Sequence, residues 1–523
     1  MSQMLKSSGG IGIATLTSRI LGLVREQVYT AFMGTGAVYG AFVFAYMVPN
    51  LFRRLLGEGA LTAAFIPVFK AKEKNEGEKS MWQAANAVIS GLVMVSGGIT
   101  LLVVGVVSLL LLRNSWSNET RLMLELLRLM FPYMVLACIG AVFIGILNAR
   151  GHFFIPALGT TILNIVMIAS VLLLAPRLGK TLDKQIFALA IGVIIAGIAQ
   201  AAFQMPVLRK EGFRYHWIPP WRDPTVREVV LKMVPGILGV AAYQINVMLT
   251  QALAFGDNAR IVAQFAVAVR LMELPQGVFG LSLATFLLPT LASLAVEKNF
   301  AQFRSTLRQG ASHLIFINLL ASILLFTQAA PIVRLLFERG KFDVSSTEHV
   351  SFALLFLVPG LISFSLVNIF ARAFYATGDL QTPMRISIFC LAMNALLTAF
   401  FLFVWKLGPG ALGLANSLTS ICNLSLLLYA LRKRLRTLEM AELVAQLPRL
   451  AMAGLVAGII SWLFRVWWGG HVGHASLLLK LGEVFIPLTL ASLAYLGMGL
   501  MLKIPSATEM LRLVTGLKTR TSH

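Results

Sequence analysis

Long apolar runs are the feature of this sequence that most restricts its fold. The 523-residue chain contains many mainly apolar stretches, each of about 20 residues or more and therefore long enough to cross a hydrocarbon layer about 30 Å thick. Lipid offers no hydrogen-bond partners to the backbone, so such runs are expected to be helices. Hydrophobic residues make up 58% of the chain and charged residues 13%. The sequence therefore predicts an all-α integral membrane protein.

Hydropathy predicts about fourteen transmembrane helices. The predicted spans are residues 10–31, 38–57, 83–112, 122–149, 155–176, 185–208, 229–255, 262–294, 310–337, 348–376, 383–405, 410–431, 448–468 and 478–502. Lys and Arg are concentrated in alternate loops, so the positive-inside rule predicts a multi-pass protein with both termini in the cytoplasm. The net charge of +22 then indicates contact with anionic lipid and not with nucleic acid. Two polar segments, 60–75 and 297–309, are predicted to be interfacial helices.

An internal repeat organises the spans. The pattern formed by Pro132, Ala149, Gly151 and Pro156 recurs 227 residues later at Pro359, Ala376, Gly378 and Pro383. We therefore predict two six-helix lobes plus two C-terminal helices. The predicted domains are residues 1–227 (N-lobe), 228–440 (C-lobe) and 441–523 (the last two helices and a cytoplasmic tail). Since six is an even number, the repeat is parallel and its pseudo-two-fold axis lies along the membrane normal.

Several predicted spans carry charged residues. Arginines outnumber carboxylates among them, so complete internal pairing is not expected; the set is Arg19, Arg25, Glu26, Arg53, Arg54, Glu58, Arg270, Glu273 and Arg372. Arg270 and Glu273 can pair across one helical turn. Ionised groups at membrane depth are costly, which favours a hydrated cavity that receives an anion. Arginine suits phosphate because its planar fork donates two parallel hydrogen bonds. The alternative is that these side chains extend from helix ends to the lipid headgroups.

The charged spans also resemble a known family. The runs TSRILGLVRE at 17–26, VPNLFRR at 48–54, EGA at 58–60, AFIP at 64–67 and RLMELPQG at 270–277 are similar to signature segments of the lipid II flippases (MurJ, also called MviN). That family belongs to the superfamily of multidrug, oligosaccharidyl-lipid and polysaccharide exporters, and the resemblance covers nearly the whole chain.

The resemblance implies a function. Such a protein carries lipid II, an undecaprenyl-diphosphate-linked disaccharide-pentapeptide, from the inner to the outer leaflet of the bacterial cytoplasmic membrane by alternating access, for peptidoglycan synthesis, cell wall biogenesis and cell shape. It also implies a groove for the polyprenyl tail beside the last two helices. The diphosphate-binding arginines correspond to Arg19, Arg25, Arg53 and Arg270, with Glu26, Arg54, Glu58, Glu273 and Arg372 as supporting cavity residues. The expected partners are lipid II and membrane lipids, and the protein is expected to be a monomer.

Two acids of the family pattern are missing here. Many relatives have Asp-Ala-Phe where this chain has Gly40-Ala41-Phe42, and Ala-Asp-Arg where it has Ala268-Val269-Arg270. Their loss makes the inferred cavity more positive. A proton-transfer or arginine-pairing role for acids at these two positions is therefore not expected in this chain. The seventh, eleventh and twelfth spans also lack an internal acid, so a buried sodium site is not predicted.

Other function classes fit the sequence less well. There is no ATPase motif or metal-ligand spacing, so we predict a transporter with no catalytic residue, metal or cofactor, driven by membrane potential or an ion gradient. Three alternatives stay open: a flippase for another polyprenyl-diphosphate glycan, a cation-coupled multidrug exporter, and an inactive scaffold that binds lipid-linked precursors. A cation-coupled multidrug exporter should have a cavity rich in acids and aromatics, whereas these spans are rich in arginine.

Overall fold

Every regular element in the computed structural model is a helix, within the residues that the structure describes, 2–56, 60–113 and 115–515. The prediction of an all-α membrane protein is confirmed. The first nine helices are α1 (Ser2–Met33), α2 (Ala37–Leu56), α3 (Ala60–Glu76), α4 (Glu78–Leu111), α5 (Asn118–Met130), α6 (Tyr133–Ala149), α7 (Phe154–Leu178), α8 (Leu182–Lys210) and α9 (Pro224–Asp257). The others are α10 (Ala259–Pro275), α11 (Ser282–Val296), α12 (Phe300–Thr327), α13 (Ala329–Phe337), α14 (Val344–Leu357), α15 (Leu361–Ala376), α16 (Gln381–Ala399), α17 (Gly410–Leu435), α18 (Ala441–His471), α19 (Leu477–Met501) and α20 (Pro505–Thr515).

Polar residues start several of these helices. Ser117, Asp223, Asn299, Asp343 and Ser476 each accept a hydrogen bond from a backbone N–H in the first turn of the helix that follows. These caps satisfy donors that the helix itself leaves without partners. They lie between apolar runs, so they fix where the spans α5, α9, α12, α14 and α19 begin.

Helix length and hydropathy support a multi-pass arrangement. Each of the fourteen predicted spans corresponds to helix in the structure. Nine helices of the described chain are long and apolar enough to cross a membrane, and ten if the bent pair α5 and α6 forms one span. The number fourteen stays a prediction. Large apolar side chains are exposed along these helices, among them Leu101 and Leu455, as expected for surfaces that face lipid.

The repeat-related prolines interrupt equivalent helices. Pro132 lies between α5 and α6, which are bent by 41° relative to each other. Pro359 lies in a short 3₁₀ turn, Val358–Gly360, between α14 and α15. Proline has no N–H and clashes with the preceding turn, so it breaks the helical hydrogen-bond ladder at both places. The repeat is therefore visible as a break at the same point of each lobe.

The described residues form two compact units. Unit 1 comprises Met1–Ala263 and Arg339–Phe342. Its core is rich in aromatic residues: Tyr29, Tyr39 and Phe42 are at most 3% exposed and their rings contact one another at 6.0 to 6.5 Å. Helix α9, the seventh predicted span, packs on α2, α3 and α4 of this unit. The lobe boundary at residue 227 follows the repeat and stays a prediction.

Unit 2 comprises Gln264–Glu338 and Asp343–His523. Its core joins α12, α15, α17 and the two last spans. Tyr495 of α19 is buried against Phe316 of α12, with ring centroids 4.8 Å apart, and its hydroxyl donates to the Phe316 carbonyl at 2.9 Å. Helix α18 packs on both α12 and α19. The two C-terminal spans are thus integral parts of unit 2.

The two predicted interfacial helices have different outcomes. Residues 60–75 form a separate helix, α3, whose residues Leu61, Phe65 and Phe69 are buried in the core of unit 1. Its position at the membrane interface stays a prediction. Residues 297–309 do not form a separate helix, because α12 begins at Phe300 and continues into the next span. Gly310, where the predicted break would lie, is helical. It packs closely against Leu287: a Cβ atom on residue 310 would lie 2.6 Å from a Leu287 methyl group.

Candidate functional site

The most enclosed charges of the predicted site are Arg25 and Glu26 of α1. Glu26 is buried, and the hydroxyl of Tyr39 at the start of α2 donates to Glu26 Oε1 at 2.6 Å. Arg25 Nη1 donates to Oδ1 of Asn164 in α7 at 3.0 Å. Arg25 Nη2 lies 3.8 Å from Glu26 Oε2. Charged side chains therefore fix α1 to both α2 and α7.

Arg25 is only partly neutralised by these contacts. A separation of 3.8 Å from Glu26 is long for an ion pair, and Asn164 is neutral. The guanidinium carbon lies 5.8 Å from the centre of the Tyr29 ring, within range of a cation–π contact. The Nε atom is buried and donates to no described atom. Because a buried donor without a partner is costly, Arg25 retains hydrogen-bonding capacity that an anion would satisfy.

Arg19 lies six residues earlier on α1, about 9 Å along the helix axis. It is exposed, whereas its neighbour Ser18 is held against α7: Ser18 Oγ donates to Thr160 Oγ1 at 2.8 Å, and Asn164 Nδ2 donates to the Ser18 carbonyl at 3.2 Å. Asn164 thus contacts α1 at two levels. Arg19 itself is in none of these contacts.

Arg53 and Arg54 lie near the other end of α2. Arg53 is half-buried, and its Nε donates to Asn50 Oδ1 at 2.8 Å, while Arg54 is exposed. Fourteen residues separate Tyr39 from Arg53, which corresponds to about 21 Å of helix. Arg53 is therefore at a different depth from the Arg25–Glu26 pair that Tyr39 contacts. Glu58 lies outside the described residues.

The remaining predicted site residues belong to unit 2. Arg270 Nη1 donates to Glu273 Oε2 at 2.8 Å, so the predicted pairing across one turn of α10 is formed. Each side chain is 50% exposed. Arg372 is half-buried in α15. Arg270 thus lies in a different unit from the other three arginines assigned to the diphosphate, Arg19, Arg25 and Arg53. Their convergence on one chamber stays a prediction.

The structure gives a reason for glycine at position 40, where an acid of the family pattern is missing. Gly40 faces the backbone of Ala259, at the start of α10. A Cβ atom on residue 40 would lie 1.9 Å from the Ala259 carbonyl oxygen, which is too close for any side chain. Nearby, the rings of Phe44 and Phe255 stack at 5.1 Å. Glycine therefore permits this close approach, and an aspartate would require the backbone to move. Val269, the other substituted position, is half-buried.

The sequence did not indicate one polar residue of the site, Asn164, or one charged cluster in unit 2. Asn164 was not singled out, because one asparagine in an apolar run gives no distinct signal. A charged cluster in unit 2 was also missed: Arg334 Nη1 donates to the buried Glu483 Oε1 at 2.8 Å, and Glu338 contacts both Arg334 and Lys480. Its members lie on α13, just after it at Glu338, and on α19, so only the tertiary structure brings them together. Among the described residues, no group of three or more His, Cys, Asp or Glu side chains could hold a metal ion.

Comparison with known proteins gives a consistent result. A family model described as "Lipid II flippase MurJ" matches residues 29–481. The chain is 33% identical over 475 residues to the "Probable lipid II flippase MurJ" of Vibrio cholerae, covering 88% of this chain and 89% of that protein. It is 31% identical over 432 residues to the "Lipid II flippase MurJ" of Burkholderia cenocepacia, covering 80% and 82%.

The fold is likewise similar to solved transporters. A structure of "Lipid II flippase MurJ, inward closed conformation" aligns over 97% of this chain and 99% of its own, with TM-score 0.74 and 21% identity. An inward-facing multidrug resistance MATE family transporter of the MOP superfamily aligns over 82% of this chain and 99% of its own, with TM-score 0.65 and 15% identity. At these identities the two structures support the fold alone.

Proposed function

We propose that this chain, which belongs to the lipid II flippase family MurJ, moves lipid II from the inner to the outer leaflet of the bacterial cytoplasmic membrane by alternating access. It is a multi-pass transporter of peptidoglycan synthesis and not an enzyme. The observation that carries the proposal is the family match over most of the chain. The structure adds that Arg25 is only partly neutralised within the described chain, because Glu26 Oε2 lies 3.8 Å from Arg25 Nη2 while Glu26 Oε1 accepts a hydrogen bond from Tyr39.

We assign the diphosphate to Arg19, Arg25, Arg53 and Arg270. Two features support this assignment: Arg19 is exposed beside the α1–α7 contact, and Arg25 has a buried Nε without a protein acceptor in the described chain. Guanidinium groups bind phosphate through parallel charge-assisted hydrogen bonds. Glu26, Arg54, Glu58, Glu273 and Arg372 are assigned supporting roles. Since Arg53 lies about 21 Å along α2 from the level of Tyr39, the substrate meets the arginines in succession as it moves.

The conformational change requires flexible points in the helices near the arginines. Pro49 lies inside α2, and Pro275 ends α10 at a π-helical segment, Gln276–Leu281. Both interrupt regular hydrogen bonding, as expected of hinges. The proposed orientation places both termini in the cytoplasm, and the proposed working form is a monomer without a cofactor. An inside-negative potential would favour outward movement of an anion by about 2.3 kcal/mol per charge per 100 mV, so the membrane potential or an ion gradient can supply the energy.

The proposal is tested in a strain depleted of its own lipid II flippase. The chain should restore growth and deliver lipid II to the outer leaflet, and Arg270→Ala should abolish both at unchanged protein level. Arg260→Ala is a matched control, because this exposed arginine begins the same helix but is not assigned to the substrate. Failure of the unmodified, membrane-inserted chain to deliver lipid II would overturn the proposed function.

Arg25 needs a separate test, because it both contacts α7 and is assigned to the substrate. Asn164→Ala removes the hydrogen bond from Arg25 Nη1, and the bond to the Ser18 carbonyl, but keeps the positive charge of Arg25. Arg25→Ala removes the Nη1 hydrogen bond and the charge. We expect flipping to be lost in Arg25→Ala and retained in Asn164→Ala. Equal loss in both variants would mean that Arg25 acts through the α1–α7 contact and not through the diphosphate.

A further inference from the structure

A second lipid site is suggested by an apolar groove in unit 1. The groove has a volume of about 710 Å³, which lies within the range of roughly 300–1,000 Å³ usual for ligand sites. Its walls are formed by α4, from Val88 to Val95, and by α9, from Val226 to Ile237. The short segment before α9 closes one end, where Gly91 lies so near Pro220 that a Cβ atom would be 3.1 Å from the proline side chain. The walls are apolar over most of their length.

The polar groups of the groove are gathered at that end. Trp221, Arg222, Asp223 and Arg227 all line it there, at the start of α9. Ile237 lies ten residues beyond Arg227, about 15 Å further along the helix. Trp221 is 69% exposed, and tryptophan is typical of the boundary between lipid headgroups and hydrocarbon. The groove therefore has one polar end and one apolar end, like a lipid.

The charge at the polar end is positive. The Asp223 carboxylate accepts a hydrogen bond from the Thr225 N–H at 2.9 Å and caps α9. Arg222 and Arg227 are at the same rim, and neither forms an ion pair with any residue that the structure describes. Two guanidinium groups beside an exposed tryptophan favour an anionic headgroup. Residues 209–227 are basic and aromatic but are not part of the proposed transport site. Recognition of a lipid headgroup would account for this composition.

We propose that this groove binds an anionic glycerophospholipid of the surrounding leaflet, with an acyl chain between α4 and α9 and the phosphate at Arg222 and Arg227. The site is independent of the proposed transport function. It is also separate from the groove beside the last two spans that the family resemblance implies for the polyprenyl tail, because all its lining residues lie in unit 1. A bound phospholipid would hold the start of α9 against α4.

The experiment uses the purified full chain in nanodiscs of equal parts phosphatidylethanolamine and phosphatidylglycerol. A trace of phosphatidylglycerol with a diazirine in one acyl chain is photolysed, and the labelled peptides are identified by mass spectrometry. We expect labelling to be concentrated in residues 88–95 and 226–237. Phosphatidylcholine with the same diazirine should label these peptides at least about fivefold less, since each arginine near the headgroup contributes a factor of about this size.

Variants separate the charge from the apolar walls. Arg222→Gln with Arg227→Gln should lower the labelling of the groove by phosphatidylglycerol to the phosphatidylcholine level. The matched control, Arg209→Gln with Arg214→Gln, removes two exposed arginines of the same basic region that do not line the groove and should leave labelling unchanged. Val230→Trp keeps both arginines but fills the groove from a half-exposed position, and it should reduce labelling at the same peptides.

Three outcomes would overturn the proposal, and the unmodified chain is enough to obtain them. The first is labelling spread evenly over all exposed helices. The second is equal labelling by the phosphatidylcholine probe, which would indicate ordinary lipid contact. The third is displacement of the label by undecaprenyl diphosphate but not by excess unlabelled phosphatidylglycerol, which would assign the groove to a prenyl tail.

Discussion

Two repeat-related turns, one in each unit, have the same backbone and opposite side-chain charges. The first joins α6 to α7 and the second joins α15 to α16. In each, a glycine at positive φ follows the helix, Gly151 at +87° and Gly378 at +76°. The hydrogen bonds also match: His152 N–H donates to the Leu147 carbonyl at 2.8 Å, and Asp379 N–H donates to the Phe374 carbonyl at 3.0 Å. This is the Schellman arrangement, which closes helix ends.

The side chains of the two turns form ion pairs of opposite polarity with a neighbouring helix: the first turn pairs with the end of α8, and the second pairs with α17. In unit 1 the turn is basic: Arg150 contacts Glu73, Glu78 and Glu211, and His152 Nε2 lies 2.7 Å from Glu211 Oε1 just after α8. In unit 2 the turn is acidic: Asp379 accepts a hydrogen bond from Arg434 Nη1 of α17 at 2.6 Å. Thr377, the repeat equivalent of Arg150, contributes only its carbonyl, which accepts from Arg434 Nη2 at 2.9 Å.

The repeat requires the same backbone conformation in both turns but does not require the same side-chain charges. The turn needs a residue that tolerates positive φ, which restricts the position to glycine at low cost. The link to the neighbouring helix needs only opposite charges within reach, and that condition is met whichever partner is positive. The backbone signature is therefore retained at both sites while the ion pair has opposite polarity.

The largest effect is expected for Arg150→Ala. This side chain is only 20% exposed and contacts three carboxylates, so its removal should destabilise unit 1 by about 2–3 kcal/mol. Thermal unfolding of the purified protein in detergent measures the change. Arg209→Ala, at the exposed end of α8, serves as control and should change stability by less than about 0.5 kcal/mol. Equal effects of the two substitutions would mean that the three-carboxylate cluster does not stabilise the turn.

Gly151→Ala and Gly378→Ala should have effects of about 1–2 kcal/mol each, and the two should be equal. A Cβ atom on either glycine would meet nothing within 4 Å, so the cost is conformational strain alone. The same unfolding measurement applies to both variants. Gly97→Ala, in the middle of α4 and equally free of neighbours, is the control and should be neutral or stabilising. A large effect at only one turn would show that their backbones are not equivalent.

Arg434→Ala should be milder than Arg150→Ala. Arg434 is 39% exposed and contacts one carboxylate, so a loss of at most about 1 kcal/mol is expected. The polarity argument is tested directly by the exchange Asp379→Arg with Arg434→Asp, which should recover part of the stability lost in Asp379→Arg alone. No recovery would mean that the position of the charges matters and not only their opposite signs.

The smallest effect is a pH dependence that differs between the turns. Hydrogen bonds from His152 and then Arg150 lower the pKa of Glu211 from its ordinary 4.5, and hydrogen bonds from Lys70 lower that of Glu73, with Arg150 adding to the effect. A carboxylate with a lowered pKa contributes stability above 4.5, and this contribution is lost as the pH falls below that value. Lowering the pH from 6 to 4 should therefore destabilise the wild-type protein slightly, and Arg150→Ala should be less sensitive.

Asp379 provides the contrast. Its pKa is lowered from 3.8, first by the backbone N–H of Thr382 and also by Arg434. Its contribution should persist at pH 4 and begin to disappear below pH 3.8, so Arg434→Ala should leave the change between pH 6 and pH 4 as in wild type. Thermal unfolding across the pH range measures both. The opposite result would be a loss of stability between pH 6 and pH 4 that persists in Arg150→Ala and is absent in Arg434→Ala. It would mean that the second turn, and not the first, causes the pH dependence.

Sequence by itself determined the fold class, the repeat and the local pairs. Apolar runs longer than a bilayer is thick allow only helices, so the spans could be placed without any tertiary information. The repeat spacing located the turns at Gly151 and Gly378. The breaks at Pro132 and Pro359 were not predicted, because both prolines fall inside spans expected to be continuous, 122–149 and 348–376. The Arg270–Glu273 pair followed from its spacing, because residues three apart on a helix are neighbours.

Tertiary structure decided the partners of every residue whose contact lies on another helix. Asn164 meets Arg25 across 139 positions, and Arg334 meets Glu483 across 149, distances over which sequence spacing carries no information. Sequence spacing also does not explain Gly40. A side chain is excluded there by the Ala259 carbonyl, which lies on another helix. Hydrophobic patterning specifies which face of a helix is buried, but a contact between two polar side chains requires the positions of both backbones, and only the folded chain fixes those.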